Sequence, residues 1–503
     1  MTPVLEALAA ARDRRALHDP RDTFTAGEAL DTVYRLARAL AEYGHGPGRV
    51  VALVGPISAR MYLVSLAAQV TGGAQVEIPV AMPARDQAAL VQRCRADLVV
   101  VDPDAADASA VEGPGVRVLA LAPSPSGEDL FAAAERCSAR PLAPRFRSGD
   151  PSRISLTGGT TGRAKPVLRR YRAPVHTRSP WARHLGQDGT GPRRVLKTER
   201  LTGLGRTLGD VAVTCGAELV TLPVFDPSEV LAVIRGRGIT HLLLAPHQLR
   251  LLLDLPETAG ADLSSLRCVV TATAAASPAL LRRAVERLGP IVHATYGQTE
   301  AGHICWLEPE DYARTGPAAS YGCGRPIPGA QVRIRDEGGA DLAAGERGRV
   351  WVRTPFLMDE YLDMPEDTAR VLREGWLDTG DVGFLNEEGF LTLLGRSTDA
   401  MVVGGEVVYS AEVDALVQEH PAVEDSVTFD VPGEGGASLH TAVVLRGEGE
   451  GDVGEDELRA LVAARLPETH VPSSFRLVSR IPLTYAHEPC WDTLRAGEVA
   501  RTR

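Results

Sequence analysis

Residues Glu374–Gly405 read EGWLDTGDVGFLNEEGFLTLLGRSTDAMVVGG. The composition predicts an acidic turn, Trp376-Leu377-Asp378-Thr379-Gly380-Asp381, then a tight pair of strands, then Gly395-Arg396 and the paired glycines Gly404-Gly405. Asp381 is a short acceptor in a glycine-bounded turn, where a carboxylate can hold a diol through two charge-assisted hydrogen bonds. Arg396 follows a strand and can close on the same ligand from the other side. Alone, the stretch fits equally well a β-hairpin carrying a satisfied surface ion pair.

Upstream, strands alternate with helices. Leu30, Val33, Ala37 and Leu40 recur at helical spacing with Gly44 as a stop signal. Val50–Val54, Leu98–Val101 and Val118–Leu121 read as buried strands, and Ala59–Gln69 as a helix. Asp226-Pro227 and Ser277-Pro278 each place an N-cap before proline. Around them lie candidate strands His241–Leu244, Cys268–Thr271 and Ile291–Thr295. This rhythm predicts an α/β protein with mostly parallel sheets covered by helices. From Val332 short strands and glycine turns predict a smaller β-rich unit, and beyond Gly395 an α+β tail of domain size follows. The acidic segment Gly447–Asp456 reads as a solvated loop.

The 503 residues exceed what one core holds, so at least two domains are expected. With 44% hydrophobic and 24% charged residues the composition is that of a soluble globular protein. A net charge of −11 argues against a nucleic-acid partner. No apolar run reaches membrane-spanning length and the N-terminus lacks a signal-peptide core, which argues against a membrane partner. Seven cysteines without a CxxC pair read as reduced thiols, not as a disulfide or metal framework, so a cytoplasmic location and no structural metal are expected. Lys165 and Lys197 are the only lysines.

Two further segments carry chemistry. Leu156–Pro166, LTGGTTGRAKP, follows the strand-like Arg153–Leu156 and combines glycines that expose backbone N–H groups with Thr157, Thr160, Thr161 and Lys165. The GxxxxGK[ST] spacing is absent. Tyr296-Gly297-Gln298-Thr299-Glu300 comes just past Ile291–Thr295, at the strand end where parallel sheets bind ligands. There Tyr296 can stack on a planar base and Thr299 can donate to a phosphate oxygen. Glu300 could ligate a divalent ion or pair with a nearby arginine.

LTGGTTGRAKP, YGQTE, Gly322–Gly329 (GCGRPIPG), WLDTGD and GRSTD, in that order, resemble the adenylate-forming superfamily of acyl-CoA synthetases, peptide-synthetase adenylation domains and luciferases. The resemblance implies an α/β fold with a large N-terminal domain, residues 1–394, of parallel and mixed sheets with covering helices plus a β-rich subdomain. It also implies a small mobile α+β C-terminal domain, residues 395–503, with its hinge at Thr398. By position, Tyr296 would lie on adenine with Gly297, Thr273 and Ala274 beside it. Asp381 and Arg396 would hold the ribose, Thr299 the α-phosphate, and the loop Thr157, Gly159, Thr160, Thr161 and Lys165 the pyrophosphate end. Gly404 and Gly405 would let the pantetheine arm of coenzyme A pass, in keeping with glycine's use at close approaches.

Departures from the family pattern are informative. A C-terminal segment of the type P-x-T-x-x-G-K-x-x-R supplies a lysine that bridges the attacking carboxylate and the α-phosphate. Pro482–Leu494 here reads PLTYAHEPCWDTL, which puts His487 on the glycine, Glu488 on the lysine and Trp491 on the arginine. A carboxylate there repels both ATP and the substrate acid. No lysine exists in the small domain, and Arg480 or Arg495 would have to substitute from a different backbone position. Gly158, Ala164 and Pro166 replace the usual Ser, Pro and Gly of the phosphate loop, Thr273-Ala274-Ala275 stands where Gly-Ala-Pro is common, and Arg200 falls at a gate usually His or aromatic.

The expectation is a non-adenylating acyl-CoA ligase that receives acyl-AMP from a separate adenylating ligase, uses coenzyme A and releases AMP, with ATP and magnesium not used productively. The pattern is similar to platensimycin- and platencin-type ligases of Streptomyces diterpenoid biosynthesis. The alternatives are a complete ATP-dependent synthetase and a non-catalytic acyl-adenylate-binding protein. Trp181 and His247 are candidate pocket residues, with core or surface roles as the competing reading.

Overall fold

The strand Val50–Val54 (VVALV) is buried along almost its whole length, as an interior parallel strand covered on both faces must be. The computed structural model describes residues 2–125, 127–157, 164–172, 179–187, 191–198, 203–312, 322–433, 436–446, 453–483 and 489–501. They form two units: Met1–Leu243 with Asp262–Arg267 and Pro355–Arg373, and Leu244–Ala261 with Cys268–Thr354 and Glu374–Arg503.

In the first unit Val50–Val54 lies between parallel strands Ala74–Ile78 and Ala96–Val101 in an eight-stranded sheet. Pro151–Leu156 adds to one side in parallel, and Pro166–Arg170 returns antiparallel to it. The helix Ala26–Glu42 starts at a capping box, Thr25 with Glu28, which satisfies end donors that the helix itself cannot. Its residues Leu30, Val33, Ala37 and Leu40 are at most 3% exposed, confirming the helical spacing. Asp226 caps Pro227–Arg237 through the Glu229 amide. A second group of strands, Arg194–Thr198, Glu218–Leu222 and His241–Leu244, is parallel. The fold class read from the strand–helix rhythm is therefore correct.

The second unit is largely antiparallel. Cys268–Thr271 pairs in parallel with Val292–Gln298, which continues antiparallel through Gly302–Leu307, Gly322–Pro326, Leu391–Arg396, Trp376–Leu385, Gly348–Arg353 and Gln331–Arg335. Ser277 caps Pro278–Leu288 through the Leu280 amide. The C-terminal part has a three-stranded sheet of Val423–Gly433, Gly436–Leu445 and Ser474–Leu477, with helices Ser410–Val417, Glu455–Ala463 and Trp491–Arg501. Arg250 on Pro246–Asp254 pairs with Asp425 at 2.6 Å, and Arg282 donates to the Gln418 carbonyl at 2.9 Å.

Three sequence expectations change. The acidic turn is not a turn: Trp376–Leu385 is one ten-residue strand. Flanking strands on both sides impose extension on turn-like residues. The register shows what happens to Thr379, Gly380 and Asp381: Asp378 pairs with Trp351 and Val382 with Arg349, so the three stand opposite Val350 alone in a bulge. Tyr296, Gly297 and Gln298 do not follow a strand but end one, because Val292–Gln298 extends past Thr295. Of the acidic loop, Glu455 and Asp456 instead open the helix Glu455–Ala463, where acidic side chains suit the positive end of the helix dipole.

Candidate active site

The bulge brings Asp381 to Tyr296 and Arg396. Gly380 takes φ +80°, a conformation that glycine adopts without strain, and Asp378 accepts its N–H at 3.1 Å. The Thr379 hydroxyl donates to the Val350 carbonyl at 2.8 Å and accepts from the Asp381 N–H at 3.1 Å. Asp381 faces Arg396 directly in the strand register, and Arg396 Nε lies 3.0 Å from Asp381 Oδ1. The Tyr296 hydroxyl and Gln298 Nε2, the latter at 2.7 Å, both donate to Asp381 Oδ2. Asp381 is only 5% exposed. Burial pushes its carboxyl up, and Arg396, Tyr296 and Gln298 pull it back. Burial followed by the adjacent Asp381 charge pushes the Tyr296 phenol well above its ordinary range.

Thr299 and Glu300 lie in the hairpin loop between Gln298 and its register partner Gly302, both half-buried. The Glu300 charge reaches Asp381 and helps raise its carboxyl. A Cβ on Gly297 would sit 2.3 Å from the Gly302 carbonyl oxygen, so this close approach excludes any other residue. Thr273 follows Cys268–Thr271 at φ +77°, strained for a β-branched side chain. Thr273→Gly is expected to stabilise the protein by about 1 kcal/mol, which a rise in melting temperature measures. Ala274 beside it is half-buried.

Thr157 and Lys165 belong to the first unit, at the base of the loop joining Pro151–Leu156 to Pro166–Arg170. The Thr157 N–H donates to the Lys165 carbonyl at 3.1 Å, and the Lys165 N–H to Thr157 Oγ1 at 2.9 Å. The Lys165 ammonium pairs with Asp367 at 3.0 Å and lies 5.0 Å from the Tyr361 ring centre. Its hydrogen bond holds the Asp367 carboxyl below the usual range. Gly158, Gly159, Thr160, Thr161 and Arg200 lie outside the described residues. Trp181 is fully buried in the first unit, which favours its core reading, and His247 is half-buried.

Gly404 and Gly405, at φ +59° and +87°, form the two-residue turn between Met401–Val403 and Glu406–Val408. Positive φ at both positions is the requirement of the hairpin turn that matches strand twist. Thr398 is exposed in the short turn Ser397–Asp399 and donates to Asp399 at 3.0 Å. His487 and Glu488 lie outside the described residues, in a segment flanked by the paired Leu483 and Pro489. Arg495, the candidate substitute for the lysine, is occupied elsewhere: it pairs with Asp430 at 2.6 Å and stacks on Trp491. Arg480 is exposed. Gln298, absent from the candidate contacts, was detectable in principle. Two residues after Tyr296 in a strand, its side chain emerges on the same face.

Residues 5–362 match the AMP-binding enzyme family and residues 412–487 the AMP-binding enzyme C-terminal domain. The chain belongs to the AMP-binding enzyme family, the adenylate-forming superfamily to which the ordered motifs pointed. It is 30% identical to the medium/long-chain-fatty-acid–CoA ligase FadD8 of Mycobacterium tuberculosis, over 94% of this chain and 85% of that protein. The fatty acid–[acyl-carrier-protein] ligase ScoC of Streptomyces coeruleorubidus is 26% identical over 95% and 94% of the two chains. The amide bond synthetase McbA from Marinactinospora thermotolerans superposes with a TM-score of 0.86 at 33% identity, over 98% of this chain and 99% of that one.

Proposed function

We propose that this enzyme is a non-adenylating acyl-CoA ligase, which takes the acyl group of a preformed acyl-AMP, transfers it to coenzyme A and releases AMP. The observation that carries this reading is an asymmetry. The cluster suited to a bound nucleoside, Tyr296, Gln298, Asp381 and Arg396, is assembled and hydrogen-bonded. Glu488 stands in the sequence where the family pattern has the lysine that helps form an acyl-adenylate, and Arg495, the candidate substitute, pairs with Asp430.

The transfer itself needs no strong acid. A thiolate sulfur attacks the acyl carbon, the bond from that carbon to the phosphate oxygen breaks, and AMP leaves with the electron pair. Positioning and exclusion of water supply most of the rate. Residues 395–503 act as a small domain turning about Thr398, and the Gly404-Gly405 turn admits the pantetheine arm. A separate ligase supplies the acyl-AMP, in a natural-product pathway of the kind the diterpenoid resemblance suggests, and ATP and magnesium are not consumed. The relatedness to FadD8 supports coenzyme A as acceptor. The similarity to McbA favours a second reading, in which an amine takes the acyl group.

Three assays on the purified protein separate these readings: free acid with ATP, magnesium and coenzyme A; acyl-AMP with coenzyme A; and acyl-AMP with an amine. Acyl-CoA formed from acyl-AMP alone is the expected result. Acyl-CoA formed equally well from acid and ATP would mean a complete synthetase. Amide as the dominant product would move the assignment to the second reading, and AMP-dependent binding without any product would mean a binding protein.

A further inference from the structure

We propose that Gln298 is a positioning residue, whose amide fixes the Asp381 carboxylate in the orientation that receives the ribose of a bound adenylate. The inference rests on the assignment of Asp381 to the ribose, and concerns how that carboxylate is held.

A carboxylate has about four lone-pair sites. At Asp381 three are occupied: Oδ2 accepts from the Tyr296 hydroxyl and from Gln298 Nε2 at 2.7 Å, and Oδ1 faces Arg396 Nε at 3.0 Å. A ribose cis-diol brings two donors, so one resident donor must yield while the carboxylate keeps its place. Arg396 has a long side chain that is 44% exposed and reaches the Thr379 carbonyl only at 3.3 Å, so it is the donor that yields more readily. Gln298 is different. The same Nε2 that donates to Asp381 also donates to the Thr379 carbonyl at 2.9 Å, so its two hydrogens tie the carboxylate to the backbone of its own bulge.

The fold explains why position 298 can do this. In a strand, alternate side chains share a face, so Tyr296 and Gln298 project together from Val292–Gln298. A neutral amide is suited to the task, because it orients the carboxylate without neutralising the charge that attracts the diol. A lysine or arginine here would compete with Arg396, and an apolar residue would leave the Thr379 carbonyl with one donor fewer.

The test measures binding of AMP and of 2′,3′-dideoxy-AMP by calorimetry, with the full-length wild type, Gln298→Met and Asp381→Asn. The wild type is expected to prefer AMP, and Asp381→Asn to lose that preference. Gln298→Met is expected to weaken AMP by about tenfold, the cost of one charged-partner hydrogen bond, with dideoxy-AMP almost unaffected. An equal loss for both nucleotides, or no loss for either, would overturn the positioning role. A wild type without any preference for AMP would instead overturn the ribose assignment, and the inference with it. Should Gln298→Met fail to fold, Gln298→Glu carries the same readout: its carboxylate repels Asp381 and is expected to abolish the ribose preference, and a retained preference would overturn the proposal.

Discussion

Glu488→Lys is expected to raise substrate-dependent ATP–pyrophosphate exchange by at least about 100-fold over a wild type that shows almost none. A preorganised cation aimed at developing negative charge is commonly worth two to three orders of magnitude in rate. The substitution removes one repulsive charge and adds one attractive charge at the same position, so both changes act in the same direction. Asp381, Arg396, Tyr296 and Gln298 are already joined, so this part of the nucleotide site is in place for the added lysine. Thioester formation from acyl-AMP should change far less, which makes the ratio of the two activities the informative quantity. An exchange rate unchanged by Glu488→Lys would mean that position 488 does not face the phosphate, and that the missing lysine is not what limits adenylation.

Arg495 illustrates what sequence alone could not decide. As a cation near the C-terminus it is a reasonable stand-in for the lysine, but its partner Asp430 lies 65 residues earlier in the chain, and only the fold brings them to 2.6 Å. The parallel strands were legible for the opposite reason. Val50–Val54 and residues 242–244 are continuous apolar runs, a pattern set by local composition and burial on both faces. Helices starting at Asp226-Pro227 and Ser277-Pro278 were legible because capping is local chemistry.

Of the candidate site residues, the structure brings Tyr296, Asp381 and Arg396 together, in a geometry the sequence did not indicate. Asp381 and Arg396 were expected to converge, and they do so as register partners. The Thr-Gly-Asp sequence that suggested a turn instead forms a bulge within a strand, because the strands on either side impose pairing on residues with little strand preference. Gly297-Gln298 likewise read as the start of a loop. Ending the strand at Thr295 removed the two-residue period that places Gln298 beside Tyr296, and Gln298 was overlooked with it.

Asp414→Asn is expected to make the second unit more stable at pH 8 while leaving it nearly unchanged at pH 4. Asp414 is buried on the helix Ser410–Val417 and accepts hydrogen bonds from the hydroxyls of Ser410, Thr428 and Ser426, the last two at 2.7 and 3.2 Å. Burial pushes its carboxyl from 3.8 up to about 7; the hydroxyls pull it back, and the neighbouring Asp425 charge adds to the rise. Each pK unit corresponds to about 1.4 kcal/mol, so the ionised form costs the fold on the order of 4 kcal/mol. The folded state holds this proton more tightly than the unfolded chain. Its contribution is therefore complete below about pH 4 and is lost progressively as pH rises to 7. His303, in the same unit, is pushed down to about 4 by burial and acts in the opposite sense, adding stability as pH rises from 4 to 6.5. The two slopes oppose one another between pH 4 and 6.5 in the wild type, while the raised carboxyls of Asp381, Glu424 and Asp425 act in the same sense as Asp414. His303 is common to wild type and variant, so the difference between their unfolding free energies isolates Asp414. That difference should grow by about 1.4 kcal/mol per pH unit between 4 and 7 and then level off, as urea unfolding at pH 4, 5, 6, 7 and 8 would measure. A constant difference across this range would mean that Asp414 is ionised throughout, held as an anion by its three hydroxyl donors.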